Sequence, residues 1–597
     1  MTRARRCASA LVACVAAAGC GEATFSAHSR DNDVNDIRHA MAMAQYAPSG
    51  PRSMGYLVTT GPDKQLVGID LADGKIRWQE KVDVRSRVVA GRTLIVHRQG
   101  EHDLVGRDPA TGRVLLTIHL EPSDKYVGVT LDDERVYYVV QSTGGAQRTS
   151  SVIAVDRNGT QLWRMPVTGS IGAPAVRGGV VAVPYSYQNV ALIDAKTGKE
   201  LARVRATDEQ ITFVRSLPEG LFYGGSSGIY LLDEKSANGS KAGSSYASVQ
   251  LGSDQIRTFY YWDGYQLDQA NYGAFDRNRL LWRGEPRAGS VGFHDDLAIL
   301  HSYRYFFAFD AKAAKLRWAF AYPRVDVVAA DDVGPSVVFA SADGDVGAID
   351  TATGAVKLRY KTGLRLAGAT FDADGFAGGA ADAKLESADL LKTLEQIVWD
   401  PDARFTAVKV FAVAAIGEIP GTDATAALLK IVLKESGVLP QVQKRADEIL
   451  VARKDTGAAP LYLNALKLHY DYLADRHPHG IDTLARACAL LDAKDAAPEL
   501  AAHLLDPATP QGALKELSAA LAGLGGKDAV RALRELLLTY RADPMFLSEP
   551  SALTIAAEGL LKQGSSDDKR VVTFVADEKR TIPPLARYLK TALQPKK

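Results

Sequence analysis

A short motif recurs eight times between residues 66 and 358 and limits how this chain can fold. In each copy a mostly apolar run reaches an Asp, a turn that usually contains Gly or Asn follows, and a second strand-like run begins. The eight Asp residues are Asp70, Asp108, Asp156, Asp194, Asp233, Asp276, Asp310 and Asp350. Their spacing is close to 40 residues, and such a period with strand-like content predicts the blades of a β-propeller.

Each part of the motif has a physical role. The Asp carboxylate can accept hydrogen bonds from backbone amides of the turn, and Gly or Asn tolerates the positive φ that the turn requires. A Trp placed after the turn would bury its ring between adjacent blades while its N–H finds an acceptor. Because one such unit cannot bury both of its faces, the copies are expected to stack until a ring closes. Four copies carry a Trp six to eight residues after the Asp, namely Trp78, Trp163, Trp282 and Trp318.

The number of copies predicts eight four-stranded blades, with seven as the alternative if the degenerate fifth copy at Asp233 is not a blade. Most copies are preceded by a further strand pair, whereas the first is preceded only by GYLVTT. The segment RLAGATF at 365–371 follows the last copy, so we expect it to pair with the first blade and close the ring.

These residues resemble the PQQ-type propeller repeat. LIDAKTGKEL, RDPATGRVLL and AIDTATGAVK match its D-x-x-T-G centre, and IDLADGKIRW matches its Asp, Gly and Trp. The resemblance covers about residues 54–376. Two different groups use this repeat: the quinoprotein dehydrogenases, and the eight-bladed lipoprotein subunit of the outer-membrane β-barrel assembly machinery, which is not an enzyme.

The quinoprotein alternative implies a quinone and calcium in the central channel, adjacent cysteines and a catalytic Asp. The sequence has no Cys between Cys20 and Cys488. The acidic pair Asp343 and Asp345 falls on a turn, without the loop length or final Glu of an EF-hand, and is interpreted as a solvated hairpin. We therefore predict a protein that is not an enzyme, with no catalytic, cofactor-binding or metal-binding residues.

The remaining candidates in the propeller are interpreted as structural. Four histidines stand alone in the sequence and favour strand packing or surface positions: His97, His119, His294 and His301. The aromatic segments 259–265 and 303–307 alternate as core strands do, although a ligand-binding or partner surface is the alternative.

The N-terminus has the features of an export signal. Arg3, Arg5 and Arg6 precede a short apolar run that ends in Ala17-Ala18-Gly19-Cys20. This resembles a bacterial lipobox, in which the cysteine is lipidated and becomes the new N-terminus; an ordinary signal peptide is the alternative. Residues 1–19 are then the signal peptide, and residues 20–53 are a flexible tether with one short helix at VNDIRHAMAMA. No Asp retention signal follows Cys20, which favours the outer membrane.

After Phe376 the sequence changes character. Residues 377–388 are rich in Gly and Ala and predict a linker. Residues 389–597 are rich in Ala and Leu with helical periodicity, and the segments beginning DPDARF and DPATPQ resemble HEAT repeats. An irregular helical bundle is the alternative. The histidines His477 and His479 lack metal-ligand partners at the required spacing and indicate an exposed loop.

The predicted fold is thus an all-β eight-bladed PQQ-like propeller (54–376) followed by an all-α HEAT-like domain. A formal net charge of +1 gives no reason to expect a nucleic-acid partner. The predicted function is that of a lipid-anchored scaffold or adaptor in the cell envelope, at the outer membrane facing the periplasm. Its expected partners are other envelope proteins, with β-barrel assembly components as candidates. A small-ligand sensor and a quinoprotein-type oxidoreductase are the alternatives.

Overall fold

The computed structural model divides into two compact units, Met1–Leu390 and Leu391–Lys597. The first is rich in strands and the second is helical. The structure describes residues 33–46, 52–142, 149–186, 188–205, 211–217, 220–225, 228–232, 245–246, 278–282, 297–310, 315–323, 325–333, 335–373, 389–434, 437–471, 473 and 477–594.

The first unit begins with one helix, α1 (Val34–Met43), and continues as strands. The strands are β1 (Ser53–Thr59), β2 (Gln65–Asp70), β3 (Ile76–Lys81), β4 (Val89–Ala90), β5 (Ile95–Gln99), β6 (Asp103–Arg107), β7 (Val114–His119), β8 (Asp124–Leu131), β9 (Arg135–Ser142), β10 (Thr149–Asp156), β11 (Gln161–Thr168), β12 (Ala175–Arg177), β13 (Val180–Tyr185), β14 (Asn189–Asp194), β15 (Glu200–Arg205), β16 (Ile211–Leu217), β17 (Gly220–Gly225), β18 (Gly228–Leu231), β19 (Ser245–Tyr246), β20 (Asn278–Trp282), β21 (Leu297–Ser302), β22 (Tyr305–Asp310), β23 (Leu316–Ala321), β24 (Val327–Val333), β25 (Ser336–Ser341), β26 (Asp345–Asp350), β27 (Val356–Lys361) and β28 (Leu366–Ala373).

Within the described residues these strands form seven four-stranded antiparallel sheets. The first sheet has the order β28-β1-β2-β3, and the second to seventh use consecutive strands from β4–β7 to β24–β27. Each inner strand contacts the inner strand of the next sheet, in the order β20, β24, β28, β4, β8, β12, β16. The fifth and sixth repeat Asp residues, Asp233 and Asp276, lie outside the described residues, so the eighth blade stays a prediction.

The first sheet joins the two ends of the strand-rich unit. β28 pairs with β1, with Tyr56 opposite Thr370 and Leu57 opposite Ala369. The expected pairing of residues 365–371 with the first blade is therefore confirmed. Because one sheet holds both ends, the first and last repeats cannot separate without breaking a backbone hydrogen-bond ladder.

The repeat Asp residues organise the turns between the third and fourth strands. One oxygen of Asp108 accepts hydrogen bonds from the Ala110 and Thr111 amides at 2.9 and 2.8 Å and from the Thr111 hydroxyl at 3.0 Å. Asp194 and Asp350 make the same three contacts in their own turns. Backbone hydrogen bonds from the Thr160 and then the Asn158 amide lower the pKa of Asp156.

Trp282 ends β20, the first strand of the sixth sheet, so its expected position after a repeat turn is wrong. Each of the other three repeat Trp residues lies on the turn of the following sheet. Its indole N–H donates to the carbonyl of the residue that follows that sheet's Asp, and its ring covers the turn glycine. These glycines have φ near +72°, and a Cβ on any of them would lie 2.5–2.7 Å from the ring. Glycine therefore serves both the turn and the contact. The carbonyls belong to Pro109 for Trp78 (2.9 Å), Ala195 for Trp163 (3.1 Å) and Thr351 for Trp318 (2.8 Å).

Sheets without this Trp use other side chains. Tyr360 of the seventh sheet lies against Gly74 of the first, and its hydroxyl donates to the Ala72 carbonyl at 3.0 Å. Leu116 of the second sheet lies against Gly159 of the third. The fourth sheet has the small Ala202 eight residues after its Asp, and Ala202 belongs to an apolar core that also contains residues of α1.

Helix α1 confirms the short helix expected at VNDIRHAMAMA. Asp33 begins it by accepting hydrogen bonds from the Asn35 and Asp36 amides at 2.9 and 3.2 Å. Ile37 and Ala40 are fully buried against the fourth and fifth sheets. This part of the segment predicted to be a tether is thus packed on the propeller.

The second unit is a run of helices stacked in two rows. In one row α3 contacts α5, and the succession continues through α7, α9, α11 and α13; in the other, α6, α8, α10 and α12 follow one another. Helices also pack across the rows, as α8 does on α9 and α10 on α11. The helices are α2 (Leu390–Val398), α3 (Thr406–Glu418), α4 (Thr422–Val432), α5 (Pro440–Ala452), α6 (Ala459–Leu466), α7 (Ile481–Leu490), α8 (Ala497–Leu505), α9 (Gln511–Leu524), α10 (Lys527–Tyr540), α11 (Ser551–Gln563), α12 (Ser566–Asp577) and α13 (Pro583–Ala592).

Polar side chains at helix ends join successive helices in this stack. Arg453, just after α5, donates to the carbonyls of Gly417 and Gly421 at 2.6 and 2.8 Å and to the Thr425 hydroxyl at 2.8 Å. Carbonyls at the end of a helix lack partners within that helix. One guanidinium therefore satisfies the end of α3 and fixes where α4 begins.

We expect Trp163→Ala to lower the free energy of unfolding of the propeller by about 3–5 kcal/mol, because it leaves a cavity and removes the hydrogen bond to Ala195. Leu162→Ala, at a neighbouring exposed side chain, should change it by about 0.5 kcal/mol or less. Denaturant titration of both variants tests this. Equal effects of the two substitutions would contradict the docking role of Trp163.

Candidate functional site

The proposed lipidation residue Cys20 lies outside the described residues. Within the described part of the chain, no group of three or more His, Cys, Asp or Glu residues is placed to hold a metal ion. In that same part, no helix is long and apolar enough to cross a membrane.

The acidic turn in the seventh sheet differs from the sequence interpretation. Asp345 is only 4% exposed and accepts hydrogen bonds from the Tyr322 hydroxyl at 2.7 Å and from Arg359 Nε at 2.6 Å. Burial first, and then the hydrogen bond and charge of Asp345, raise the pKa of Tyr322, although a hydrogen bond with Ser341 opposes the shift. The solvated-hairpin interpretation is wrong for Asp345, because the partners that compensate its charge come from other strands.

The aromatic segment 303–307 lies in the sixth sheet, where Tyr305, Phe306 and Phe307 are buried. The core interpretation is confirmed for these three residues. The other aromatic segment, 259–265, and His294 lie outside the described residues. His301 is buried and its Nε2 donates to the Tyr303 carbonyl at 2.8 Å.

A buried arginine and histidine pair lies in the second sheet. Arg107 Nε donates to His97 Nε2 at 3.1 Å, and His97 Nδ1 donates to the Arg98 carbonyl at 3.0 Å. Arg107 also donates to the Gly112 carbonyl at 2.9 Å and to Gln99 Oε1 at 3.0 Å. Burial first, and then the nearby Arg107 charge, lower the pKa of His97 to about 4, against the opposing hydrogen bond to Arg98. The imidazole is thus held neutral inside the sheet.

Charged side chains of three separate sheets meet at the inner strands. Asp331 on β24 lies 3.4 Å from an Arg87 nitrogen, just before β4, and 3.8 Å from an Arg215 nitrogen on β16. Asp331 and Arg87 are both about nine-tenths buried. The inner strands of a propeller line its axis, so we call this group the channel cluster; it links sheets that are not sequence neighbours.

The channel cluster does not resemble the calcium-bound quinone site implied by the quinoprotein alternative. A calcium ion takes several carboxylate and carbonyl oxygens. At this level the described carboxylate, Asp331, is paired with two guanidinium groups, Arg87 and Arg215. The arrangement suits a structural ion pair across the channel better than cation binding.

The outer strands of the first three sheets expose apolar side chains directly after their turns. A β-bulge lies at residue 77, 115 or 162 of these strands, directly before the buried Trp78, Leu116 or Trp163. We call this set the outer-strand apolar row. It consists of Ile76 (42% exposed), Val114 (46%), Leu115 (44%) and Leu162 (45%). As the outer strands also leave one backbone edge without a neighbouring strand in their sheets, they are accessible to a protein partner.

Comparison with known proteins found a limited set of similarities. A family described as outer membrane protein assembly factor BamB (PQQ_2) matches residues 62–217. The crystal structure of BamB from Moraxella catarrhalis is 16% identical with a TM-score of 0.31, covering 54% of this chain and 86% of that one. The computationally designed Ika8 protein is 13% identical with a TM-score of 0.32, covering 58% and 92%. No curated protein matches this chain.

The chain therefore contains a PQQ-like propeller resembling BamB, followed by a helical unit. Sequence reasoning did not find the channel cluster, because its members are distant in sequence and share no motif. It also missed the outer-strand apolar row, whose signal was an apolar residue immediately after the turn in three successive repeats.

His97 gives a pH-dependent stability with a defined sign. Its pKa is lower in the folded chain, so the unfolded chain binds a proton first as the pH falls, and stability decreases between about pH 6.5 and about 4. At pH 5 the loss should be about 2 kcal/mol relative to pH 7.5. Denaturant titrations at both pH values should show this extra loss in wild type and in the exposed control His119→Gln. The account predicts that it is absent in His97→Gln, and the same pH slope in all three proteins would contradict it.

Proposed function

We propose that this chain is a non-enzymatic scaffold or adaptor of the bacterial cell envelope that acts in outer-membrane protein assembly. In this proposal the signal peptide is removed and Cys20 is lipidated, so that the protein faces the periplasm from the outer membrane. Its first domain is an eight-bladed propeller at 54–376, and its second is a HEAT-like domain at 389–597 after a linker at 377–388.

One observation carries the proposal: the match of residues 62–217 to the BamB-described family. The match begins before the first repeat Asp and extends into the fifth sheet. It therefore includes the strands that carry the outer-strand apolar row. We infer that a protein partner could cover these exposed apolar side chains together with the open strand edges.

The helical unit supports the same class of function. Two rows of stacked helices expose long surfaces that can bind an extended protein or peptide. We propose that the helical unit adds a second binding surface to the propeller. The small-ligand sensor is less favoured, because the described aromatic segment at 303–307 is buried in its sheet. The quinoprotein alternative is less favoured, because two arginines already pair with Asp331 at the channel axis.

A crosslinking pull-down from native membranes tests the proposal. The wild-type chain should recover β-barrel assembly components, and a triple variant Ile76→Asp, Val114→Asp, Leu162→Asp should recover at least tenfold less because charge replaces the apolar contact surface. The control is Lys81→Asp, which changes an exposed side chain at the end of β3 outside the outer-strand apolar row. Thermal unfolding should be unchanged in both variants.

Recovery of no envelope protein, together with a bound quinone in the purified chain, would contradict the scaffold and favour the oxidoreductase. If the triple variant recovers as much protein as wild type, the binding surface is not the outer-strand apolar row.

A further inference from the structure

Helix α1 packs on the fourth sheet, whose repeat has no Trp. In the first, third and sixth sheets a Trp closes the contact to the next sheet, but the fourth sheet has Ala202 at the corresponding position. Ala202 lies in one apolar core with Ile37 and Ala40 of α1 and with residues of the fifth sheet such as Val214. The helix thus supplies apolar volume between the fourth and fifth sheets.

Polar contacts hold the C-terminal end of α1 against the fourth sheet. Arg177 Nε donates to the Ala44 carbonyl at 2.9 Å, and the Gly179 amide donates to the Met43 carbonyl at 3.0 Å. Gly178 has φ +52°, and a Cβ on it would lie 2.6 Å from the Gln45 carbonyl oxygen. The hairpin between β12 and β13 is therefore shaped to accept the helix end closely.

This docking shortens the chain that connects the propeller to the proposed lipid. From Cys20 to Asp33, which begins α1, the chain spans at most about 45 Å when fully extended. From Cys20 to Ser53, where β1 begins, it would span at most about 115 Å. The longer tether would let any side of the propeller approach the membrane, whereas the shorter one holds the edge beside α1 near it.

We propose that α1 is a docked anchor that fixes the tether to the edge between the fourth and fifth sheets, so that this edge faces the lipid surface. The first sheet, on another part of the ring, is then directed away from the membrane and available to protein partners. This inference rests on the lipidation of Cys20 in the proposed function, but the docking of α1 can be tested without it.

The docking test compares two identical substitutions in α1. Ala40 is fully buried and Ala42 is exposed, so Ala40→Asp should release the helix and Ala42→Asp should not. Hydrogen exchange of full-length chains should show amide exchange across 37–44 at least tenfold faster in Ala40→Asp only.

A second pair avoids any change in α1. Gly178→Ala introduces the clash with the helix end, and Gly100→Ala is its control, because Gly100 has a similar φ of +59° with no atom within 4 Å of the added Cβ. Gly178→Ala alone should speed the exchange of α1. If α1 exchanges equally in all variants and wild type, the docked anchor is overturned.

The orientation test uses energy transfer from the lipidated chain to acceptor lipids in phosphatidylethanolamine–phosphatidylglycerol vesicles. Donor dyes are placed at Lys199→Cys in the fourth sheet or Lys75→Cys in the first, which stand at equivalent turn positions five residues after their repeat Asp. Cys488 is buried and should not label. Transfer should be at least twofold greater from position 199, and the difference should disappear with Ala40→Asp but not with Ala42→Asp.

The outcomes separate this inference from the function on which it rests. Equal transfer from both positions in vesicle-bound wild type would overturn the orientation while leaving the lipid anchor in place. A difference that persists in Ala40→Asp, once exchange shows that its helix is released, would also overturn it. If Cys20→Ala binds vesicles as well as wild type, the proposed lipid anchor itself is contradicted, and the orientation with it.

Discussion

The strand-rich unit depends on a large side chain of one sheet lying against the turn glycine of the next. A four-stranded sheet leaves two faces to bury, and this contact covers the outer end of one of them. Trp78, Trp163 and Trp318 make it with a hydrogen bond to the following turn, and Tyr360 makes it between the seventh and first sheets. The repeat Asp is coupled to the same contact, because its hydrogen bonds fix the turn that receives the ring.

Function is arranged around this constraint. Large side chains of the outer strands point inward and close the contacts between sheets. A β-bulge lies just before each of them, and the apolar side chains there are exposed, which forms the outer-strand apolar row. At the axis, Arg87, Arg215 and Asp331 link sheets that do not follow one another. On the fourth sheet, Ala202 shares an apolar core with buried residues of the N-terminal helix. Sheets joined in this way, with accessible outer strands, suit the proposed scaffold.

The sequence predicted what repeats locally. The Asp and Gly pattern predicted the turns, and the segment at 365–371 predicted the pairing of β28 with β1. The helical periodicity after residue 388 predicted the second unit. Contacts between distant residues could not be predicted in this way. Asp345 looked solvated because its partners lie elsewhere in the sequence, Tyr322 directly after β23 and Arg359 on β27. The channel cluster joins residues up to 244 positions apart. The short helix was expected, but its docking on the fourth sheet was not, because the residues in contact are more than 100 positions apart, as Ala44 and Arg177 are.

The most direct test of the proposed role is the abundance of outer-membrane β-barrel proteins in cells that lack this chain. Quantitative mass spectrometry of outer membranes, with the wild-type gene restored as the control, measures it. If the chain is a scaffold for barrel assembly, many barrel proteins should decrease together, while lipoproteins without a barrel should stay constant. Unchanged barrel levels in the deletion strain would contradict the assembly role.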